Sequence, residues 1–144
     1  MTIPIHPFLV HFPIAFLYGA VFFTGIQLWR PNWTCRIIGL WMVGISTITS
    51  ILASISGQWE LTKANQKNYD QEVFEILNKH EILGNFITWA LLIFFITWLF
   101  FFFKYMDDKR FDQIAFIILL GLSIGVTITA YLGGTLVWKH QVGF

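Results

Sequence analysis

Four long uncharged stretches constrain the fold of this sequence more than any other feature. They run over residues 7–29, 37–59, 82–103 and 114–138. Each is long enough to cross about 30 Å of hydrocarbon as an α-helix. Backbone amides in lipid must pair within the protein, and these runs lack the alternation of barrel strands. The sequence therefore predicts an all-α integral membrane protein, a bundle of four transmembrane helices forming a single domain over residues 1–144.

The composition agrees with a bilayer environment and excludes other classes of protein. The chain is 56% hydrophobic and 12% charged, whereas a soluble domain has about 25% charged residues. The net charge of +1, without a basic patch, gives no sign of nucleic-acid binding. The single cysteine, Cys35, excludes an internal disulfide and a thiolate cluster built within the chain. The lipid bilayer is thus the first expected partner.

We expect helices at about residues 7–29, 37–59, 70–103 and 112–140. The third helix should begin outside the membrane as an amphipathic extension, because apolar residues recur at three- and four-residue steps from Val73 to Ile87. Pro13 cannot donate to the carbonyl of Leu9, which predicts a bend in the first helix. No internal repeat is apparent. Small residues at a stride of four predict a seam of close helix contact in the fourth helix: Gly121, Gly125, Thr129 and Gly133.

The short connections between helices favour one orientation. Five basic residues lie in the first and third connections, while the N-terminal arm has none. Because Lys and Arg of short loops stay inside, both termini and the long polar loop should face outward. Asp107, Asp108 and Asp112 are interpreted as part of a solvated loop.

All four histidines fall at one end of the predicted bundle. His6 and His11 open the first helix, His80 lies at the start of the third membrane run, and His140 closes the fourth helix. An ionisable side chain that faces the interior of a membrane bundle is costly and usually functional. For one histidine alone, a hydrogen bond at the interface is the simpler interpretation, but four together favour a shared ligand. The first helix is expected to face its neighbours with one stripe: His11, Ala15, Tyr18, Gly19 and Phe22.

Converging imidazoles suit two chemistries. A b-type haem takes axial histidines from different helices, and small residues such as Gly84 and Gly133 would let the flat ring lie between helices. A copper or zinc ion takes three or four nitrogens. Neither spacing is diagnostic, because His6 and His11 are five residues apart and no Cys-x-x-Cys-His motif is present.

The leading hypothesis is a haem b-binding membrane electron-transfer protein, or the haem-bearing subunit of a larger redox complex. His11 and His80 are the first choice for axial ligands, followed by His140 and His6. Such a protein is not expected to be an enzyme by itself. The alternatives are a Cu- or Zn-binding membrane protein and a structural accessory subunit without a cofactor. Assembly as a homo-oligomer or within a larger complex is compatible with each hypothesis.

Three motifs give the chain a family resemblance. The first is His-Pro-x-x-Val-His-Phe-Pro-Ile-Ala at the start of the chain. The second is a histidine with a glycine four residues later at the third helix, His80 and Gly84. The third is Gly-Gly-x-Leu-Val-x-x-His-x-Val-Gly at the end. Over essentially the whole chain the sequence resembles the bacterial membrane domain of unknown function 2231. The resemblance implies a four-helix protein of the bacterial inner membrane. It also implies redox partners, because similar domains occur joined to Rieske-type or cytochrome-like modules. The matching positions are His6, Pro7, His11, Pro13, His80, Gly84, Gly133, Gly134, His140 and Gly143.

Overall fold

A computed structural model describes residues 5–67, 69–105 and 108–142 of the chain, so that Gly143 and Asp107 lie outside the described residues. Its helices are α1 (Ile5–Leu9), α2 (His11–Trp29), α3 (Trp33–Ala64), α4 (Gln71–Lys104) and α5 (Lys109–Trp138). Helices α1 and α2 together form the first membrane span, and the other helices supply one span each. The prediction of an all-α four-helix membrane bundle is confirmed.

The four spans form a closed ring around one hydrophobic core. Helix α2 contacts α3, α3 contacts α4, α4 contacts α5, and α5 returns to α2. Helix α2 therefore lies diagonally opposite α4, and α3 lies opposite α5. The centre of the core consists of fully buried side chains: Leu17, Ala20, Val43, Leu91 and Leu119.

A break at Val10 separates α1 from α2. Pro13 has no N–H to donate to the carbonyl of Leu9, so the regular hydrogen-bond pattern cannot run through this turn. The hydroxyl of Ser46 donates to the carbonyl of Pro13 over 2.8 Å and ties the start of α2 to α3. Helix α1 also packs against α3. The irregularity predicted from Pro13 is therefore present.

Helix α4 extends well beyond the membrane, as the amphipathic pattern predicts. It has 34 residues, which is about 50 Å at 1.5 Å per residue. Val73 and Leu77 in its first turns are buried, while the polar residues around them are exposed. A small hydrophobic cluster, which we call the cap cluster, joins this extension to the ends of α3 and α5: Ala64, Val73, Leu77 and Leu136. The cap cluster closes the end of the bundle that carries the histidines, which we call the histidine end.

Exposed tryptophans lie at both ends of the membrane-spanning part, and two more, Trp41 and Trp89, lie within the spans. Trp29 and Trp33 lie at the end opposite the histidines, and Trp59 and Trp138 lie at the histidine end. Tryptophan is enriched at membrane–water interfaces because one edge of its ring is polar and the rest is apolar. These residues indicate where the two membrane surfaces meet the bundle.

The small-residue seam of α5 is only partly as predicted. A Cβ at Gly125 would collide with Ile87 of α4, and one at Gly133 would lie 2.9 Å from the ring of His80. A Cβ at Gly121 would meet nothing within 4 Å, so this residue is not part of the contact. The seam therefore joins α5 to α4 only in its second half.

A buried ion pair joins α3 to α5 at the end opposite the histidines. The Nε of Arg36 donates to Oδ1 of Asp112 over 2.9 Å. Both residues are buried, and the guanidinium of Arg36 lies 4.6 Å from the ring centroid of Phe102. The interpretation of Asp112 as a solvated loop residue is wrong, because α5 begins at Lys109 and its first turn directs the carboxylate inward.

Candidate cofactor site

His6 of α1 and His80 of α4 face each other at the histidine end of the bundle. Their ring centroids are 6.3 Å apart, and their ring planes are inclined at 80°. Both residues are half-buried. Because α1 continues into α2, which is diagonally opposite α4, this pair spans the bundle from corner to corner.

Two hydrogen-bonding groups orient the imidazole of His6, and both lie next to its Nδ1. Its Nδ1 lies 3.0 Å from the carbonyl oxygen of Ala53 and 3.0 Å from Oγ of Ser56. The hydroxyl of Ser56 itself donates to the Ala53 carbonyl over 2.8 Å. A carbonyl oxygen only accepts hydrogen bonds, so Nδ1 must carry the hydrogen. In a neutral ring the lone pair is then on Nε2.

The imidazole of His80 is held in the same manner. Its Nδ1 donates to the carbonyl oxygen of Thr129 on α5 over 3.0 Å. The lone pair of the neutral ring is again on Nε2. Histidines that ligate metals typically donate their other ring N–H to a carbonyl or carboxylate, which fixes the tautomer and the ring direction. Both rings therefore have the hydrogen bonding of metal-ligating imidazoles.

A glycine leaves room for each ring. A Cβ at Gly57 would lie 3.0 Å from Cε1 of His6, and a Cβ at Gly133 would lie 2.9 Å from Cε1 of His80. Side chains larger than hydrogen at these positions would displace the rings. Gly84 is one turn from His80, and a Cβ there would make an ordinary contact with Thr129. Gly84 and Gly133, the two glycines predicted from the sequence to make room for a ligand, thus lie beside Thr129 and His80.

The histidine pair lies in a layer between two apolar clusters. Along α4, His80 is placed between Leu77 of the cap cluster and Ile87 of the main core. Along α5, its partner Thr129 is placed between Val126 of the main core and Leu136 of the cap cluster. The cap cluster therefore covers the pair on the side that leads to water.

His11 does not take part in this layer. It is exposed, and its Nδ1 donates to the carbonyl of Pro7 over 2.6 Å, a local bond within the first span. Tyr18 and Phe22, which share its stripe, are 46% and 63% exposed. The prediction that this stripe faces the bundle interior is wrong for His11, Tyr18 and Phe22, because the buried face of α2 carries Leu17 and Ala20 instead. Gly19 does face a neighbour, since a Cβ there would lie 2.7 Å from Sδ of Met42 on α3.

His140 lies at the histidine end but further out. It follows Gly133 by seven residues, which is about 10 Å of helical rise. The residue is half-buried, and its Nε2 is buried without a hydrogen-bond partner among the described residues. The structure thus brings together His6 and His80, and it does not bring His140 into the same layer.

The donor set fits a group that needs two protein ligands. In the part of the chain that the structure describes, no three His, Cys, Asp or Glu side chains form a metal-binding group. Zinc held by protein alone uses three or four ligands, whereas haem iron receives four nitrogens from its own macrocycle and takes axial ligands from the protein.

Sequence reasoning left His6 without a direction and missed its partners. A carbonyl such as that of Ala53 has no signature in sequence. Nothing in the sequence connects Gly57 with a histidine either. The useful signal would have been a comparison of the two halves of the chain, since a glycine follows each of the two carbonyl acceptors by four residues.

Comparison with known proteins gives the chain a family. A family model described as "Predicted membrane protein (DUF2231)" matches residues 2–144. Searches of curated proteins and of solved structures gave no match. With helices that suit a bilayer and a match over nearly its whole length, the chain belongs to the DUF2231 family of predicted membrane proteins.

Proposed function

We propose that this protein binds haem b in the membrane and transfers electrons, with His6 and His80 as the axial ligands. The facing imidazole pair carries the proposal. Each ring donates Nδ1–H to a backbone carbonyl and keeps the lone pair of Nε2 for a ligand. The pair replaces His11 and His80 as the first choice, because His11 is exposed.

The separation of the rings supports a shared iron. Metal–imidazole bonds are about 2.0 to 2.1 Å long, so two opposite nitrogens are about 4 Å apart and their ring centroids about 6 Å apart. The centroids of His6 and His80 are 6.3 Å apart. The centroid separation therefore matches that of two imidazoles that share one metal ion.

The number of ligands favours haem over a bare ion. A zinc ion held by this pair would require further donors, and the described residues contain no third ligand of the usual kind in the group. A purely structural role for the histidines explains their hydrogen bonds, but it does not explain why two imidazoles share one layer of an apolar bundle.

Each residue of the site has a distinct task. His6 and His80 would hold the iron, and the carbonyls of Ala53 and Thr129, which orient the rings, would increase the donor strength of Nε2. When bound, haem supplies one-electron redox chemistry. The cap cluster limits access of water, and such burial tunes the reduction potential.

We further propose that the histidine end faces the periplasm of a bacterial inner membrane, where a Rieske-type or cytochrome-like protein would be its redox partner. The positions of the exposed basic residues support this orientation. Among the described residues four exposed basic side chains lie at each end, but Arg30, Lys104, Lys109 and Arg110 lie in or beside the two short connections, whereas Lys63, Lys67, Lys79 and Lys139 lie along the longer polar segment and at the C-terminal end. Basic residues of short loops stay on the cytoplasmic side.

An absorption spectrum tests the proposal. Protein purified in mild detergent, with or without added hemin, should show a Soret band and the visible bands of iron with two imidazoles. His6→Ala and His80→Ala should each lose these bands and bind hemin at least tenfold more weakly, because each removes an axial ligand. His11→Ala and His140→Ala serve as matched controls and should keep the wild-type spectrum.

Two outcomes would contradict the proposal. One is the absence of a Soret band in the purified protein together with a hemin spectrum that is the same with the protein as in detergent alone. The other is a spectrum that depends on His11 but not on His6. Stoichiometric copper or zinc in a sample without haem would instead favour a metal-binding protein.

A further inference from the structure

The contacts of His6 and His80 repeat along the chain at a nearly constant spacing. His6 binds a carbonyl 47 residues further on, and His80 binds one 49 residues further on. In each case a glycine follows the carbonyl residue by four positions and lies against Cε1 of the histidine. Two unrelated sites would have no reason to share this arrangement.

The buried faces of α2 and α4 follow the same register. His6 and His80 differ by 74 positions. The same difference relates every buried residue of α2 to a buried residue of α4. The pairs are Pro13 with Ile87, Leu17 with Leu91, Ala20 with Phe94, and Thr24 with Trp98.

Helices α3 and α5 match in the same way. Gly57 and Gly133 differ by 76 positions, and this difference relates six buried residues of α3 to six of the seven buried residues of α5. The pairs are Arg36 with Asp112, Gly39 with Ala115, Val43 with Leu119, Ser46 with Leu122, Thr47 with Ser123, and Ser50 with Val126.

Local hydrogen bonds agree with this register. Asn32 caps α3 by accepting from the amide of Thr34 over 2.8 Å. Asp108, 76 positions later, caps α5 by accepting from the amide of Arg110 over 2.9 Å. Few side chains are identical between the halves, although His-x-x-Leu-x-x-Phe begins at both His6 and His80. The repeat is therefore one of structure more than of sequence.

Two contacts place an axis along the bundle. Only residues next to a two-fold axis can contact their own equivalents. His6 and His80 are equivalents in contact at one end, and Arg36 and Asp112 are equivalents in contact at the other. Two equal charges at the second contact would repel each other, so the repeat differs there by carrying one charge of each sign.

We propose that the chain consists of two equivalent helical hairpins related by an internal two-fold axis. The first hairpin is formed by α1, α2 and α3, and the second by α4 and α5. The group held by the histidine pair lies on this axis, and each hairpin supplies one half-site: an imidazole, its carbonyl acceptor and a glycine. A group held by the pair would accordingly receive equivalent donors from the two hairpins. The identity of that ligand rests on the proposed function, whereas the repeat does not.

Variants that each lack one of the two imidazoles provide the first test. His6→Gly and His80→Gly are each titrated with hemin, and free imidazole is then added to replace the missing ring. Equivalent half-sites predict the same absorption spectrum for both variants, hemin affinities within about threefold of each other, and recovery of the wild-type Soret band in both. If one variant keeps the wild-type spectrum while the other loses it, the half-sites are not equivalent and the axis placement of the ligand is overturned.

A second test does not depend on haem. Ala20 and Phe94 are equivalent core positions of very different volume. Ala20→Phe and Phe94→Ala should each lower the midpoint of thermal unfolding in detergent, and the double variant should recover at least half of the summed loss, because it exchanges the two volumes about the axis. The repeat is overturned if the double variant does not fold, or if its loss of thermal stability equals or exceeds the sum of the losses of the two single variants. If the double variant recovers stability but the wild-type protein binds no hemin, the proposed function is wrong and the repeat is retained.

Discussion

Gly57 and Gly133 determine how closely the histidine-bearing helices approach the second helix of their hairpin. At both positions a Cβ would come within about 3 Å of an imidazole carbon. Each imidazole also bonds to a carbonyl one turn away, so it cannot shift without losing that bond. A small change at these glycines should therefore act directly on the ligand nitrogens.

We expect Gly133→Ala to weaken hemin binding at least tenfold, because the added methyl group displaces the ring of His80 from the Thr129 carbonyl. Gly134→Ala is the matched control, since a Cβ at Gly134 meets nothing within 4 Å. The control should bind hemin as the wild type does and gain about 0.5 to 1 kcal/mol of helix stability. Titration with hemin, followed by absorbance, measures the difference. Equal affinity for the two alanine variants would contradict this role of Gly133.

The sequence predicts the direction of His80 correctly and that of His11 incorrectly, for a physical reason. His80 belongs to the extension of α4, where water on one side makes the buried face recognisable. His11 lies in a run that is apolar all round, and lipid is as apolar as the core, so hydropathy cannot tell the two faces apart. His6 precedes the break at Val10, so the helical phase of α2 does not extend to it.

At the scale of helices, the buried ion pair between α3 and α5 holds two diagonally opposite elements together. The sequence places Arg36 and Asp112 beside polar connections, which suggests solvated residues. The structure buries both because α3 starts at Trp33 and α5 at Lys109, so each charged residue falls in the first turn of a packed helix. Capping by Asn32 and Asp108 sets these starting points.

We expect Asp112→Asn to destabilise the bundle by about 3 to 5 kcal/mol, because it removes the charge opposite a buried arginine. Asp108→Asn is the matched control: Asp108 is exposed, and asparagine caps a helix as well as aspartate does. Equilibrium unfolding in mixed micelles with increasing SDS compares the two variants. A loss for Asp112→Asn no larger than that of the control would show that the ion pair contributes little.

At the scale of the whole molecule, hydropathy is sufficient to predict four spans but not their symmetry. Segments long enough to cross the bilayer stand out by composition alone. The internal repeat is not visible because equivalent core positions hold different residues, such as Thr24 and Trp98. Packing requires only that their volumes be compatible, so sequence identity between the halves is not maintained.

The orientation of the molecule can be tested with fusions at the C-terminus. The basic residues in and beside the two short connections at the end opposite the histidines predict an outward C-terminus. A fusion of alkaline phosphatase after residue 144 should be active in intact bacteria, and a fusion of green fluorescent protein should be dark. The reverse pattern would contradict the orientation and with it a periplasmic redox partner.

The depth of the histidine pair has an electrical consequence. Gly57, which lies against His6, is two residues from the exposed Trp59 that marks the membrane surface. Moving one charge through the whole membrane field costs about 2.3 kcal/mol per 100 mV. Under the proposed function, an electron that arrives and departs on the histidine side would cross only a small part of that field. Electron transfer through this site would therefore neither charge nor discharge the membrane. The rate of this transfer should be nearly independent of the transmembrane voltage.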